Sequence, residues 1–381
     1  MRRAAILGLA AAAAVWVWQF LTVRYNHGGN WTALYVIAPH MPVPEFLKGE
    51  NLYVFPNTQG YDGQVYHLMA HDPWMRKGSP AAIVGAAFRY QRIFVPALAW
   101  TLALGNDRWI HESYEAVMLA SVFLGVYWLS RWAARAGLSP AWGLIFVIMP
   151  ATITSADRMT VDVALGALAA AFAFYAENGP VWTVFLVLAC AALTRETAFP
   201  IIGGYTLYLI TRKRFVSAAV IAAAALPALA WYVHVASTLP KEPSTLSPAL
   251  SLIPFKGFVL RLLHPVSYPL PPMLNTIAIV FNYIALAGVL LALVLAIRPK
   301  WTAHTAVLYA MAISATFVGD QAIWGDAFSF ARPFTPTLIL VALQDLGTRP
   351  WLALLPTFMM DSRIALNFAP QLAGVWRGLT T

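Results

Sequence analysis

The sequence predicts an all-α fold, a polytopic integral-membrane helical bundle, and three observations carry that prediction. First, 60% of the residues are hydrophobic and only 11% are charged, with a mean hydropathy of +0.65. Soluble domains carry about 25% charged residues. Second, apolar runs recur along the whole chain with short polar joints between them, the pattern of several helices and not of one anchor. Third, those runs lack the apolar/polar alternation of a membrane β-barrel strand. The formal charge of +9 sits in short basic clusters between the apolar runs. That placement follows the positive-inside rule and gives no sign of nucleic-acid binding.

We read residues 1–381 as a single membrane domain. Residues 1–23 form the first transmembrane helix, with Arg2 and Arg3 in the cytoplasm. Its apolar part, about 18 residues, is long for a secretory signal and no small-residue cleavage site follows it. Residues 24–92 form a long extracytoplasmic loop, proline-rich around His40, Pro42 and Pro44 and helical in pattern from Asp62. There Val65, Leu68 and Met69 share one face while Gln64, His67 and His71 share another. This predicts an amphipathic helix lying on the membrane surface, with a second over Ala81–Ala87.

Residues 93–237 form a helical module, 238–275 a second extracytoplasmic loop, and 276–381 the C-terminal helices. Clear apolar runs are Ala116–Leu129, Ala141–Ile153, Val161–Tyr175, Val181–Leu193, Pro200–Ile210, Ser217–Val235, Thr276–Ile297, Ala303–Val318 and Phe330–Leu343. The total expected is about 10–12 spans, several broken, tilted or re-entrant because they fall below about 20 residues. Ile93–Leu104 is too short to cross alone. The basic clusters Arg131/Arg135, Arg212/Lys213/Arg214, Arg298/Lys300 and Arg349 are expected in the cytoplasm. Stepping span by span then puts Asp157/Arg158, Arg195/Glu196 and Asp320/Asp326 on the opposite face, with the long loop.

Asp62, in the segment YDGQ, is the leading candidate for chemistry. Gly60 and Gly63 flank it and allow a tight turn. A carboxylate at a helix N-terminus is kept ionised by the helix dipole, which suits a general base; its plainer role is a first-turn acid. Arg92, Arg158, Arg195 and Arg332 lie at the outer ends of spans. Arginine near hydrocarbon is costly unless paired, and its planar fork suits phosphate. Several on one face point to a lipid-linked phosphate, with internal salt bridges as the alternative, for instance Arg158 with Asp162. Tyr61, Gln64, Tyr66, His67, Tyr90 and Glu196 are the candidate substrate contacts. His67 and His71 stand at i, i+4, a metal-ligand spacing, but no third ligand accompanies them in the sequence, so no metal is assigned. The one cysteine, Cys190, lies in an apolar run and reads as a buried hydrophobe.

The segments YDGQVYHLMAHDPW, YQRIFVPALAWTLALG, PATITSADRMTVDVALGAL, LACAALTRETAFPI and FSFARPFTP follow one another in an order that resembles the GT-C superfamily of polytopic glycosyltransferases. The similarity is to its bacterial, mannosyltransferase-like members. It covers roughly Leu52–Ile210 and the surroundings of Arg332. The resemblance implies an inverting glycosyltransferase that moves a sugar from a polyprenyl-phosphate donor to an acceptor hydroxyl. It places this reaction on the extracytoplasmic face of a bacterial inner membrane. It puts the catalytic acid on Asp62 and the donor-phosphate residues on Arg92, Arg158, Arg195 and Arg332. Many relatives carry paired acids in this loop, whereas Asp62 has no adjacent carboxylate; Asp72 is the next in line. No cofactor is therefore expected, and catalysis without a metal. Composition alone also allows a membrane transporter or lipid flippase. Such proteins place ionisable groups near mid-membrane, whereas Glu115, Asp162, Glu177 and Glu196 all lie at the ends of apolar runs.

Overall fold

A computed structural model describes residues 1–240 and 250–380. Part of the predicted second loop, residues 241–249, lies outside the described residues. Among those described there is no strand, only the isolated bridges Ile37–Val54 and Leu250–Val318. In chain order the helices are α1 (Arg2–Asn26), α2 (Asp62–His71), α3 (Ala86–Arg89), α4 (Phe94–Leu102), α5 (Ile110–Arg135) and α6 (Pro150–Arg158). They continue with α7 (Asp162–Asn178), α8 (Val181–Thr194), α9 (Phe199–Thr211), α10 (Phe215–Ala222), α11 (Leu226–Thr238) and α12 (Lys256–Leu263). The last are α13 (Pro272–Ala296), α14 (Ala303–Thr316), α15 (Ala327–Asp345), α16 (Pro350–Leu366) and α17 (Ala369–Thr380).

Four helical stretches among the described residues are long and apolar enough to cross a membrane: Arg2–Asn26, Asp107–Arg135, Phe215–Thr238 and Pro272–Ala296. Of the other apolar runs, 141–153 breaks up locally, whereas 161–175, 181–193, 200–210, 303–318 and 330–343 each form one helix of 13 to 19 residues. Pro140–Ile148 winds as a 3-10 helix, Pro150 starts α6 after an extended Met149, and Pro333, Pro336 and Pro356 sit inside α15 and α16. Proline removes a backbone donor, and the run at 141–153 breaks just before Pro150, whereas α15 and α16 continue through their internal prolines. α4 has nine residues, about 13 Å of helix against a hydrocarbon layer of about 30 Å, so it does not cross alone.

α13 packs on α16, α1 on α5, α5 on α7 and α9 on α14. Small residues let these helices approach, as in other membrane bundles. A Cβ added at Gly204 of α9 would lie 2.7 Å from the Ala306 carbonyl oxygen of α14. Apolar side chains stay exposed on the outer helices: Ile6, Leu9 and Val17 on α1, Leu226 and Val233 on α11, Met273 and Val294 on α13. Water would penalise such a surface, and lipid does not.

The bundle has two chemically different ends. At one, Arg2, Arg3 and Arg131 line a single depression. There Arg135 donates to the Phe174 carbonyl at 3.0 Å, Arg212 to the Trp301 carbonyl at 3.0 Å, and Arg298 pairs with Asp345. α5, α7 and α15 run from this end to the other, where Asp62, Asp162, Arg195 and Arg332 meet. The predicted opposition between the basic clusters and the Arg158/Arg195 face therefore holds in the fold.

The long loop differs from expectation. α2 forms where predicted, but it is not an amphipathic surface helix: Val65, Tyr66, His67, Leu68, Met69, Ala70 and His71 are all buried. It packs against α4, α5 and the 3-10 turn Trp31–Tyr35, which cover its polar face as well as its apolar one. The second predicted amphipathic helix, over 81–87, is instead a 3-10 turn at Ser79–Ala82 followed by the single turn α3.

Candidate functional site

Asp62 is the first residue of α2, after Tyr61 in an extended conformation. α2 starts so close to α6 that a Cβ at Gly63 would lie 2.3 Å from the Arg158 carbonyl oxygen and 3.0 Å from that of Tyr35. Only glycine permits this approach, and it fixes the position of the Asp62 carboxylate.

Both Asp62 oxygens are engaged. Oδ1 accepts from Arg89 at 2.5 Å and Oδ2 from Arg332 at 3.0 Å. Arg332 uses its other terminal nitrogen on Asp162, also at 3.0 Å, and Asp162 in turn pairs with Arg195. Arg195 stands 3.7 Å from Glu196, which holds Arg92 by two hydrogen bonds of 2.6 and 2.9 Å. Arg92 also donates to the Tyr66 hydroxyl at 3.2 Å. Segments far apart in sequence thus close one ionic network: α2, α3, the turn after it, the N-terminus of α7, the joint between α8 and α9, and α15.

Tyr61 lies between two guanidiniums, Arg158 at 4.6 Å and Arg332 at 4.8 Å from its ring, and its hydroxyl donates to the Phe328 carbonyl at 2.8 Å. Arg158 also lies 4.0 Å over the Phe328 ring and pairs with Asp157 at 3.2 Å, not with Asp162. It borders the network without entering it.

Buried ions are stable only when their partners offset lost hydration. Burial opposes the charge on Asp62, but Arg332, Arg89 and Arg92 outweigh it and hold the carboxyl well below the usual carboxylate range. Burial acts against Glu196 in the same way, and Arg92 and Arg195 hold it below its ordinary value. Four guanidiniums (Arg89, Arg92, Arg195, Arg332) face three carboxylates (Asp62, Asp162, Glu196), leaving one positive charge over. Such a cluster repels a divalent cation and attracts an anion.

Of the predicted site residues, Asp62, Arg92, Arg195, Arg332, Tyr66 and Glu196 come together, with Tyr61 and Arg158 at the edge. Three do not. The Gln64 amide oxygen accepts from the Ala38 backbone at 2.9 Å, so it braces the preceding loop. Tyr90 is fully buried, hydrogen-bonded to Ser79 and to the Asp72 carbonyl. His67 points away from Asp62, a helical turn and a half along α2, to meet His71, His111 and Glu50. The sequence reading missed Arg89 and the central position of Asp162. Arg89 lies three residues before Arg92, a spacing that hints at a shared face. Nothing local marks Asp162 as the bridge.

The second cluster joins α2 to α5. His67 Nε2 and His71 Nε2 are 3.1 Å apart, His111 Nε2 is 3.0 Å from Glu50, and Asp107 is 2.9 Å from His71 Nδ1. Burial pushes the His67 imidazole well below its ordinary value, and His71 and His111 act in the same direction. A separate cleft of about 460 Å³ is lined by Trp74, Met75, Arg76, Trp231, His234 and Thr238 and contains no member of either cluster. No family model matches this chain, and neither a curated protein nor a solved structure matches it.

Proposed function

We propose that the chain is an inverting glycosyltransferase that moves a sugar from a polyprenyl-phosphate donor to an acceptor hydroxyl at the extracytoplasmic face of the membrane. The observation that carries this reading is the Arg332 guanidinium bridging Asp62 and Asp162 in a cluster with one surplus positive charge. The motif order that resembles GT-C enzymes supports it, as does the separation of this cluster from the basic end of the bundle. The basic end faces the cytoplasm in this proposal, and the ionic cluster faces the periplasm or exterior.

In the proposed reaction the donor's lipid lies along the apolar outer helices and its phosphate enters among Arg89, Arg92, Arg195 and Arg332. Asp62 in its paired state is a weak base, because two arginines hold its charge. A phosphate that takes over those guanidiniums loosens the pairing and restores basicity to the carboxylate. Asp62 then accepts the proton of the acceptor hydroxyl as its oxygen attacks the anomeric carbon. The bond from that carbon to the phosphate oxygen breaks, and the electron pair leaves with the lipid phosphate, whose growing charge the arginines stabilise.

The test is turnover of radiolabelled lipid-linked sugar by wild type, Asp62→Asn and the control Glu45→Gln, which alters an exposed pair. Asp62→Asn keeps shape and loses basicity, and is expected to slow transfer by about 10²–10⁴-fold, the usual contribution of a general base. Full activity in Asp62→Asn removes the base assignment. No transfer by wild type across several donors and acceptors would move the reading to a transporter or flippase.

A further inference from the structure

The histidine cluster at the far end of α2 takes no part in that chemistry. It draws on three separate pieces of chain: Glu50 from the loop before α2, His67 and His71 from α2, and His111 from the first turn of α5. One donor atom from each of the four residues lies within 4.8 Å of every other. Asp107 fixes the tautomer of His71. As an ionised carboxylate it can only accept at 2.9 Å from Nδ1, so Nδ1 carries the hydrogen and Nε2 presents a lone pair to the cluster. Tyr35 stacks on His67 with ring centroids 4.4 Å apart and holds its plane, while Phe46 lies 5.7 Å from His71.

The separations decide what the arrangement is for. Hydrogen bonds account for His67 with His71 at 3.1 Å and for His111 with Glu50 at 3.0 Å. They do not account for Glu50 Oε1 standing 3.5 Å from His71 Nε2 and Oε2 3.8 Å from His67 Nε2, both longer than an ordinary hydrogen bond. A tetrahedral ion with bonds of about 2.0–2.1 Å holds its ligands about 3.3–3.4 Å apart. The contacts, two made by Glu50 Oε2 and one by Oε1, straddle that edge length, and the four donor atoms stay within 4.8 Å of one another, so small side-chain shifts bring them around one ion. The carboxylate–histidine contact behind His71 is also the usual support of a metal-bound imidazole.

We infer that Glu50, His67, His71 and His111 form a binding site for one divalent transition-metal ion, zinc by the chemistry of the donors. Three imidazoles and one carboxylate suit a borderline ion and disfavour magnesium or calcium, which take oxygen. Four protein ligands make a closed, structural site. Its effect is to clamp the loop before α2, α2 itself and α5 into one unit, setting the far end of the helix that carries Asp62. The inference stands independently of the glycosyl-transfer reading, because its test measures metal and not turnover.

Full-length chain with a histidine-free tag, in detergent, is stripped with chelator and titrated with Zn²⁺ or Co²⁺. The expected result is about one zinc per chain, the stoichiometry of a single closed site. Visible absorption bands of tetrahedral cobalt, and a melting temperature that rises when zinc is returned, are expected with it. His71→Ala and His111→Ala should lose stoichiometric metal, and Asp107→Asn, with every ligand intact, should weaken binding by about 10–100-fold. No stoichiometric zinc in wild type, or equal zinc in both alanine variants, overturns the site. If those variants fail to fold, the cobalt spectrum of wild type decides alone: absence of the tetrahedral bands refutes the inference.

Discussion

Arg332 touches two carboxylates of the ionic network, the partly buried Asp62 and the buried Asp162, and replacing it tests how that network holds. One terminal nitrogen donates to Asp62 and the other to Asp162, each at 3.0 Å, and the group is almost wholly buried. Arg332→Gln removes the charge and leaves Asp62 to Arg89 and Asp162 to Arg195. Breaking a buried pair costs about 3–5 kcal/mol when an ion is left alone. Here each carboxylate keeps one arginine, so the loss should fall near the lower limit, about 3 kcal/mol. Arg332→Lys keeps the charge, but a single ammonium lacks the fork that reaches two carboxylates at once. It gives up at least one charge-assisted hydrogen bond, about 1.5–3 kcal/mol. The order of stability should be wild type, then lysine, then glutamine, read as melting temperature in one detergent. A double-mutant cycle with Asp162→Asn should show that the two losses do not add, because both remove the same contact. Lysine as stable as arginine, or strictly additive losses, would refute the bridging geometry.

Two further outcomes follow from the same surroundings. Gly63→Ala drives a Cβ to 2.3 Å from the Arg158 carbonyl oxygen, and backbone cannot yield as a flexible side chain would. Overpacking of this kind costs about 1–3 kcal/mol, so the melting temperature should drop, and turnover should drop with it as Asp62 shifts; unchanged stability would mean that α2 and α6 stand farther apart. The second outcome concerns acid. The folded-state pKa values of Asp62 and Glu196 are depressed, so their pairing stabilises above the unfolded carboxylate values near about 4 and is lost as pH falls through the folded ones. Melting temperature should therefore hold from neutral pH down to about 5 and decline below that. Glu196→Gln should be less stable at neutral pH and decline less steeply, and identical slopes for the two proteins would contradict the assignment.

What the sequence disclosed about this site follows from what membrane burial makes expensive. Arg92, Arg195, Glu196 and Arg332 stand out in the text because ionisable residues in apolar surroundings need partners. Their grouping with Asp62 could be worked out from charge bias and span parity. The pairing itself could not. Asp162 looked like a partner for Arg158 one helical turn back, yet Met159 between them takes a left-handed conformation, at φ 46°. That ends α6, and α7 starts afresh with Asp162 directed at Arg195 and Arg332. Hydropathy windows missed one break for a related reason. They assume that an apolar run is one helix, whereas the run at 141–153 divides into a 3-10 helix and α6 at Pro150.

His67 marks the limit of periodicity. Its i, i+4 spacing to His71 is visible on paper, but His111 and Glu50 reach it only through the docking of α5 and of the loop onto α2. That docking buries the polar face of a helix that the sequence would leave on the membrane surface. α2 buries two imidazoles in this way, His67 and His71, and their further neighbours, Asp107, His111 and Glu50, come from elsewhere in the chain. The amphipathic pattern of α2 therefore has a double meaning: its apolar positions face the core, and its polar ones hold the two clusters that fix it at either end.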